Sequence, residues 1–146
     1  MSMFSAFDVT ASGLTAQRLP MDVISENVAN ANTTRTEDGT PYRRKIVTFQ
    51  QKGQQQTFSQ VLHNVSSSYT GSGVKVSQIF EDTTEMNMVY DPSHPDADEN
   101  GYVTYPNVNI VQEMTDLIDA SRSYEANSTA FGASKSMALK GLEIGQ

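Results

Sequence analysis

The sequence predicts a mainly α protein with a small β-rich insertion, its long N- and C-terminal helices paired as an antiparallel coiled coil. Three observations predict it. Apolar residues recur seven apart near both ends, the middle turns to β-branched residues bounded by Gly and polar runs, and an Asn cluster and a Pro-containing acidic stretch stand at the joins. Residues 1–34 and 107–146 thus form one discontinuous domain of paired helices, and residues 35–106 a strand and loop insertion.

The first helix covers about Phe4 to Ala31, with Phe7, Leu14, Met21 and Val28 in heptad spacing and Phe4, Ala11 and Ile24 on nearby faces. A strict spacing of seven keeps one stripe against a partner only when two helices wind around each other with a left-handed supercoil. Pro20 falls inside this helix. It lacks an N–H and crowds the carbonyl of Ala16, so a bend of more than about 20° is predicted there, with the helix resuming toward Val28. Asn27, Asn30 and Asn32, followed by Thr33, read first as a helix stop, because Asn tolerates the left-handed conformation and hydrogen-bonds nearby backbone.

Lys45–Gln51 and the stretch from Gly73 to Phe80 read as short strands. Between them, the Gln-rich stretch from Gln50 to Gln60 and the Ser- and Gly-rich stretch from Ser66 to Gly73 predict a flexible excursion. Glu81, Asp82, Glu85, Asp91, Asp96, Asp98 and Glu99 then gather in a segment without Lys or Arg that ends near Pro106, predicting an acidic, turn-rich loop.

The second helix runs from Asn109 toward Ile144 and carries Ile110, Leu117, Tyr124, Phe131 and Ala138 in heptad spacing, flanked by Met114, Ile118 and Leu142. Asn109 is the predicted N-cap, with Gln112 in the reciprocal capping position. The neighbouring heptad lines, Arg18 and Ser25 in the first helix and Ser121, Ser128 and Lys135 in the second, are poor in apolar residues. A helix packed by several partners and a loose two-helix hairpin both produce that pattern.

Composition excludes several functions. A net charge of -7 and a single small basic cluster, Arg43, Arg44 and Lys45, argue against nucleic acid as a partner. The absence of cysteine excludes disulfides and thiolate chemistry. No apolar run approaches the roughly 18 to 20 residues of a membrane span, so direct membrane insertion is not expected. The N-terminus has no basic region followed by an apolar stretch, so any export is expected to proceed without a cleaved signal peptide.

The sharpest chemical look-alike is the run from Asp96 to Val103, which places Asp96, Asp98, Asn100 and Gly101 where a calcium loop has its first ligands and turn glycine. A calcium-dependent binding module is therefore the alternative reading. Its twelfth position holds Asn107 in place of the bidentate Glu, and Pro92 and Pro95 obstruct an entering helix, which favours an acidic Asx-turn loop. His63 and His94 form no helical metal pair, and neither a nucleophile elbow nor a phosphate-binding glycine loop occurs. Asp96 and Glu99 as a glycosidase pair have no evident cleft to flank. No catalytic residue, metal or cofactor is assigned.

The segment from Ala11 to Gln17 (Ala-Ser-Gly-Leu-Thr-Ala-Gln), with Asn27-Val28-Ala29-Asn30-Ala31-Asn32-Thr33, resembles the N-terminal signature of the bacterial flagellar rod and hook proteins. Glu113-Met114 and the run from Ser121 to Asn127 are similar to the matching C-terminal signature. Tyr42 to Lys45, Val89 to Asp98, and Gly101 to Val103 with Pro106 to Asn109 resemble the proximal-rod members, and the likeness weakens mainly from Gln50 to Gly73. The resemblance implies a torque-transmitting structural subunit of the basal body, exported by the flagellar apparatus. It would assemble helically with itself and other rod proteins, beside the basal-body ring or adaptor and the export apparatus. The resemblance also implies that the terminal helices pair and line the inner tube; Pro20 departs from a family that usually continues this helix without proline.

Overall fold

A computed structural model of the chain describes residues 3–53 and 72–144. Helix α1 spans Met3–Ala29 and helix α2 spans Ile110–Ile144, about 40 and 52 Å long at 1.5 Å per residue. Between them lie β1 (Lys45–Gln51), β2 (Val74–Glu81), β3 (Asn87–Tyr90) and β4 (Tyr102–Tyr105). The strands form two antiparallel hairpins, β1 with β2 and β3 with β4.

The helices are antiparallel. Phe7 meets Phe131, ring centroids 5.2 Å apart, near one end, and Asn27 hydrogen-bonds Glu113 near the other. In α1 the buried positions are Gly13, Ala16, Pro20, Val23 and Asn27, a 3-4-3-4 spacing; in α2, Glu113, Ala120 and Ser134 are buried with Asn127 half-buried, spaced by seven. Apart from Pro20 and Val23, this seam consists of small or polar side chains. Small residues let the two backbones approach closely, and Gly13 shows the limit: a Cβ there would stand 2.9 Å from Asn127 Oδ1.

Helix α1 continues through Pro20 without interruption. Its end is made by side chains: Asn30 Nδ2 donates to the Glu26 carbonyl (3.0 Å) and Thr33 Oγ1 donates to Asn30 Oδ1 (3.1 Å). Among the described residues no non-glycine has positive φ, so the Asn cluster stops the helix by hydrogen bonding and not by left-handed backbone. Asn109 caps α2 as expected, accepting from the N–H groups of Val111 (3.1 Å) and Gln112 (3.3 Å). Gln112 does not return the bond. Its Nε2 donates instead to Asp116 Oδ1, one turn on (2.8 Å).

The β1–β2 hairpin lies along α1. Lys45 is held at Asn27, and at the far end Val74 N–H donates to Ser12 Oγ (3.1 Å), which itself donates to the Val9 carbonyl (2.7 Å). Seven strand residues cover about 20 Å and the fifteen helical steps from Ser12 to Asn27 about 22 Å, so strand and helix segment match in length. Gly73 makes the docking possible, with φ +83° and no room for a Cβ against Ser12 Oγ. A bulge after Thr48 breaks the ladder, leaving Ser77 without an opposite residue.

The segment read as an acidic loop contains a further hairpin, β3–β4. Its strands are too short and its turn residues too dense for alternation to reveal it, yet Val103 is fully buried and Tyr90 and Tyr102 meet edge to face at 5.3 Å. The expected excursion from Gln50 to Gln60 and from Ser66 to Gly73 falls mostly outside the described residues.

Candidate assembly site and its polar knot

Where α1 ends, β1 begins and α2 starts, Tyr42, Lys45 and Glu113 converge on Asn27. Its side chain is 1% exposed and fully satisfied. Oδ1 accepts from Tyr42 Oη (2.8 Å) and the Lys45 N–H (2.9 Å), while Nδ2 donates to the Lys45 carbonyl (2.9 Å) and Glu113 Oε2 (2.9 Å). The amide thus takes the part of a neighbouring strand for Lys45 and of a helix partner for Glu113.

Glu113, also 1% exposed, accepts from Arg44 Nε through its other oxygen at 2.5 Å. Arg44 is further paired with Asp82 (3.6 Å) and Asp116 (3.5 Å), and its N–H donates to Asn107 Oδ1 (2.9 Å). Burying a carboxylate is costly unless it is paired and hydrogen-bonded in this way. The three acids hold the Arg44 guanidinium above its ordinary pKa against the opposing effect of burial, with the Glu113 hydrogen bond the strongest of the favourable causes. Burial, reinforced by Glu26, Glu113 and Glu81, pushes the Tyr42 hydroxyl up to about 12, so it remains a donor.

Of the residues expected to pair the helices, Phe7 and Phe131 meet as an edge-to-face pair. Leu14, Met21, Val28, Leu117 and Ala138 are half-buried, whereas Ile110 and Tyr124 are 42% and 40% exposed. They flank the buried seam. Among the motif residues, Asn27 is the hub, Asn30 and Thr33 close the helix end, and Asn32 is exposed. Sequence reading missed Glu113 and Arg44 as a unit: the acid sat in a signature and the base in a basic cluster, 69 residues apart, with only their opposite charge as a signal.

The calcium look-alike is an Asx-turn loop. Asp98 Oδ1 accepts from the N–H groups of Asn100 (2.9 Å) and Tyr102 (2.8 Å), and Asp91 Oδ1 from Ser93 N–H and Oγ. Asp96 is turned away to Thr34 Oγ1 (2.8 Å) and Arg35 (3.7 Å). Among the described residues no three acid or histidine side chains group as a metal cage, and no helix is long and apolar enough to cross a membrane.

Large apolar side chains lie outside. Val111 is 75% exposed, Met114 54% and Ile118 52%, one stripe on the outer face of α2; Met137 and Leu142 are 64% and 70% exposed near its other end. Stripes of this size mark contact surfaces.

Two long helices sewn antiparallel around an Asn-rich helix stop, with hairpins between and apolar surface left outside, make the frame of a structural protein, and its motif residues resemble those of the flagellar axial proteins. Residues 7–35 match the family described as flagella basal body rod protein, and residues 99–144 match the flagellar basal body rod FlgEFG protein C-terminal family. The chain is 50% identical to the flagellar basal-body rod protein FlgC of Bacillus subtilis strain 168, covering all of both chains. It is 46% identical to FlgC of Borreliella burgdorferi over 99% of this chain and 98% of that one, and 40% identical to FlgC of Escherichia coli O157:H7 over the whole of both. The chain belongs to the FlgC family of flagellar basal-body rod proteins: it is a structural protein of the rod and not an enzyme.

Proposed function

We propose that the chain is a subunit of the proximal rod that packs helically with copies of itself and with other rod proteins, transmits torque, and lines the export channel with its terminal helices. Phe7, Leu14, Met21 and Val28 with Ile110, Leu117, Tyr124, Phe131 and Ala138 serve this assembly by flanking the buried seam of the helix pair, where Phe7 and Phe131 meet. Its further neighbours are the basal-body ring or adaptor and the export apparatus that delivers it.

The observation that carries this reading is the outer stripe Val111, Met114 and Ile118, more than half exposed on a helix whose inner seam is small and polar. Large side chains outside and small ones inside suit a helix that meets further helices. The test is incorporation: basal bodies purified from cells carrying Val111→Asp with Ile118→Asp are expected to lack this chain and its distal neighbours, while the purified variant keeps wild-type helicity. Normal incorporation of that variant would overturn the proposal.

A further inference from the structure

We propose that the Asn27–Glu113 pair sets the register of the two helices, a choice their apolar residues do not make. The inference concerns the single chain and stands independently of what the outer faces meet.

The two helices are periodic enough to slide. The register marked by Phe7 and Phe131 sets Leu14 level with Tyr124, Met21 with Leu117, and Val28 with Ile110. Moving α2 by one heptad sets Leu14 level with Phe131, Met21 with Tyr124, and Val28 with Leu117. Every level still sets a large apolar side chain of one helix beside one of the other at the flanks of the seam, so their partial burial barely distinguishes the two arrangements. The slip forfeits one aromatic pair at Phe7, sets Gly13 level with Ser134 and brings Asn127 level with Pro20.

At Asn27 the outcome is different. The slip brings Ala120, a methyl group with no acceptor, level with Asn27, and carries Glu113 about 10 Å along the axis, away from both Asn27 and Arg44. A buried amide then loses a partner and a buried carboxylate loses all of its own. Arg44 and Lys45 stay behind, because β1 is fastened to α1 through both backbone groups of Lys45. Asn27 thus reads the position of α2 with one bond, from Nδ2 to Glu113, while its other bonds hold Tyr42 and Lys45 of the hairpin. A single polar residue in a heptad seam specifies register because every other alignment leaves it unsatisfied.

The chain has no cysteine, so two introduced ones carry nitroxide labels without background. Exposed Asp8 and Asp119 are suitable sites, with an axial offset of about 20 Å in the observed register and about 30 Å after a one-heptad slip. The wild-type background is expected to give a single distance set by the shorter offset. Asn27→Leu with Glu113→Leu should add a population about 10 Å longer. Glu113→Leu with Ala120→Glu moves the acceptor by one heptad and should make the longer distance dominant. An unshifted distance in both variants would overturn the proposal, since Arg44 N–H on Asn107 would then suffice to hold the register. So would loss of helix in both with no shifted population, which would make the pair an element of stability alone.

Discussion

Gly13 lies directly beneath Asn127, so close that a methyl group on Gly13 would touch Oδ1, Cγ and Nδ2 within 3.0 Å. Asn127 is tied down in turn, its Nδ2 donating to the Ser123 carbonyl at 2.9 Å. Gly costs a helix about 1 kcal/mol relative to Ala, and here close approach of the helices outweighs that cost.

Gly13→Ala is therefore expected to destabilise the chain by about 1 to 2 kcal/mol despite the gain in helix propensity. In the Asn127→Ala background the same change should be stabilising by roughly 1 kcal/mol. Urea melts of the four members of the cycle check both signs. Additive effects would show that the two positions do not meet.

Glu113→Ala removes one acceptor from the Asn27 amide, which keeps the Lys45 carbonyl, and the shortest of the three acidic partners of Arg44. A loss of about 2 to 4 kcal/mol is expected, because the remaining groups are left buried or half-buried with a partner missing. Asp116→Ala removes a looser, more exposed pairing with Arg44 at 3.5 Å and should cost less than about 1 kcal/mol. Equal losses in thermal or urea unfolding would contradict this ranking.

Tyr42 gives an alkaline signature. Its pKa is raised in the fold to about 12 from an unfolded value near 10, so the stabilisation is complete below about pH 10 and is lost as pH rises toward 12. Tyr42→Phe should lower stability at neutral pH by about 1 kcal/mol through the lost bond to Asn27 Oδ1 and flatten the alkaline decline. Phenolate absorbance and melting followed across that window are the measurements. A variant with an undiminished alkaline decline would assign the effect elsewhere.

Asp98 spends its Oδ1 on two backbone N–H groups of the β3–β4 turn. Calorimetry with calcium at about 1 mM, the weak end of protein calcium sites, should give no binding heat. Asp98→Ala should loosen the hairpin, seen as faster amide exchange at Tyr102 and Asn100. Saturable calcium heat abolished by this substitution would restore the binding-module reading.

Pro20 is expected to bend α1, and Pro20→Ala should straighten it by returning an N–H to the Ala16 carbonyl. Distances between labels at exposed Asp8 and Ala29, on either side of the proline, should lengthen in the variant. An unchanged separation would mean that α1 is already straight.

The sequence by itself determined the two helices, their antiparallel return, the first two strands and the family, because heptad spacing, β-branched runs and motif residues are local signals that need no partner to be read. Asn109 was legible as a cap for the same reason. Tertiary structure alone decided which helix faces meet: hydropathy weights large side chains and so points to Leu14 and Tyr124, whereas close approach selects Gly13, Ala16, Pro20 and Ala120, whose merit is their small size. It also decided the roles of Asn27 and Glu113, since a buried polar group becomes favourable only when its partners arrive from elsewhere in the chain. Those partners, Tyr42, Arg44 and Lys45, lie beyond any helical or strand period, so no spacing could announce the knot that joins them.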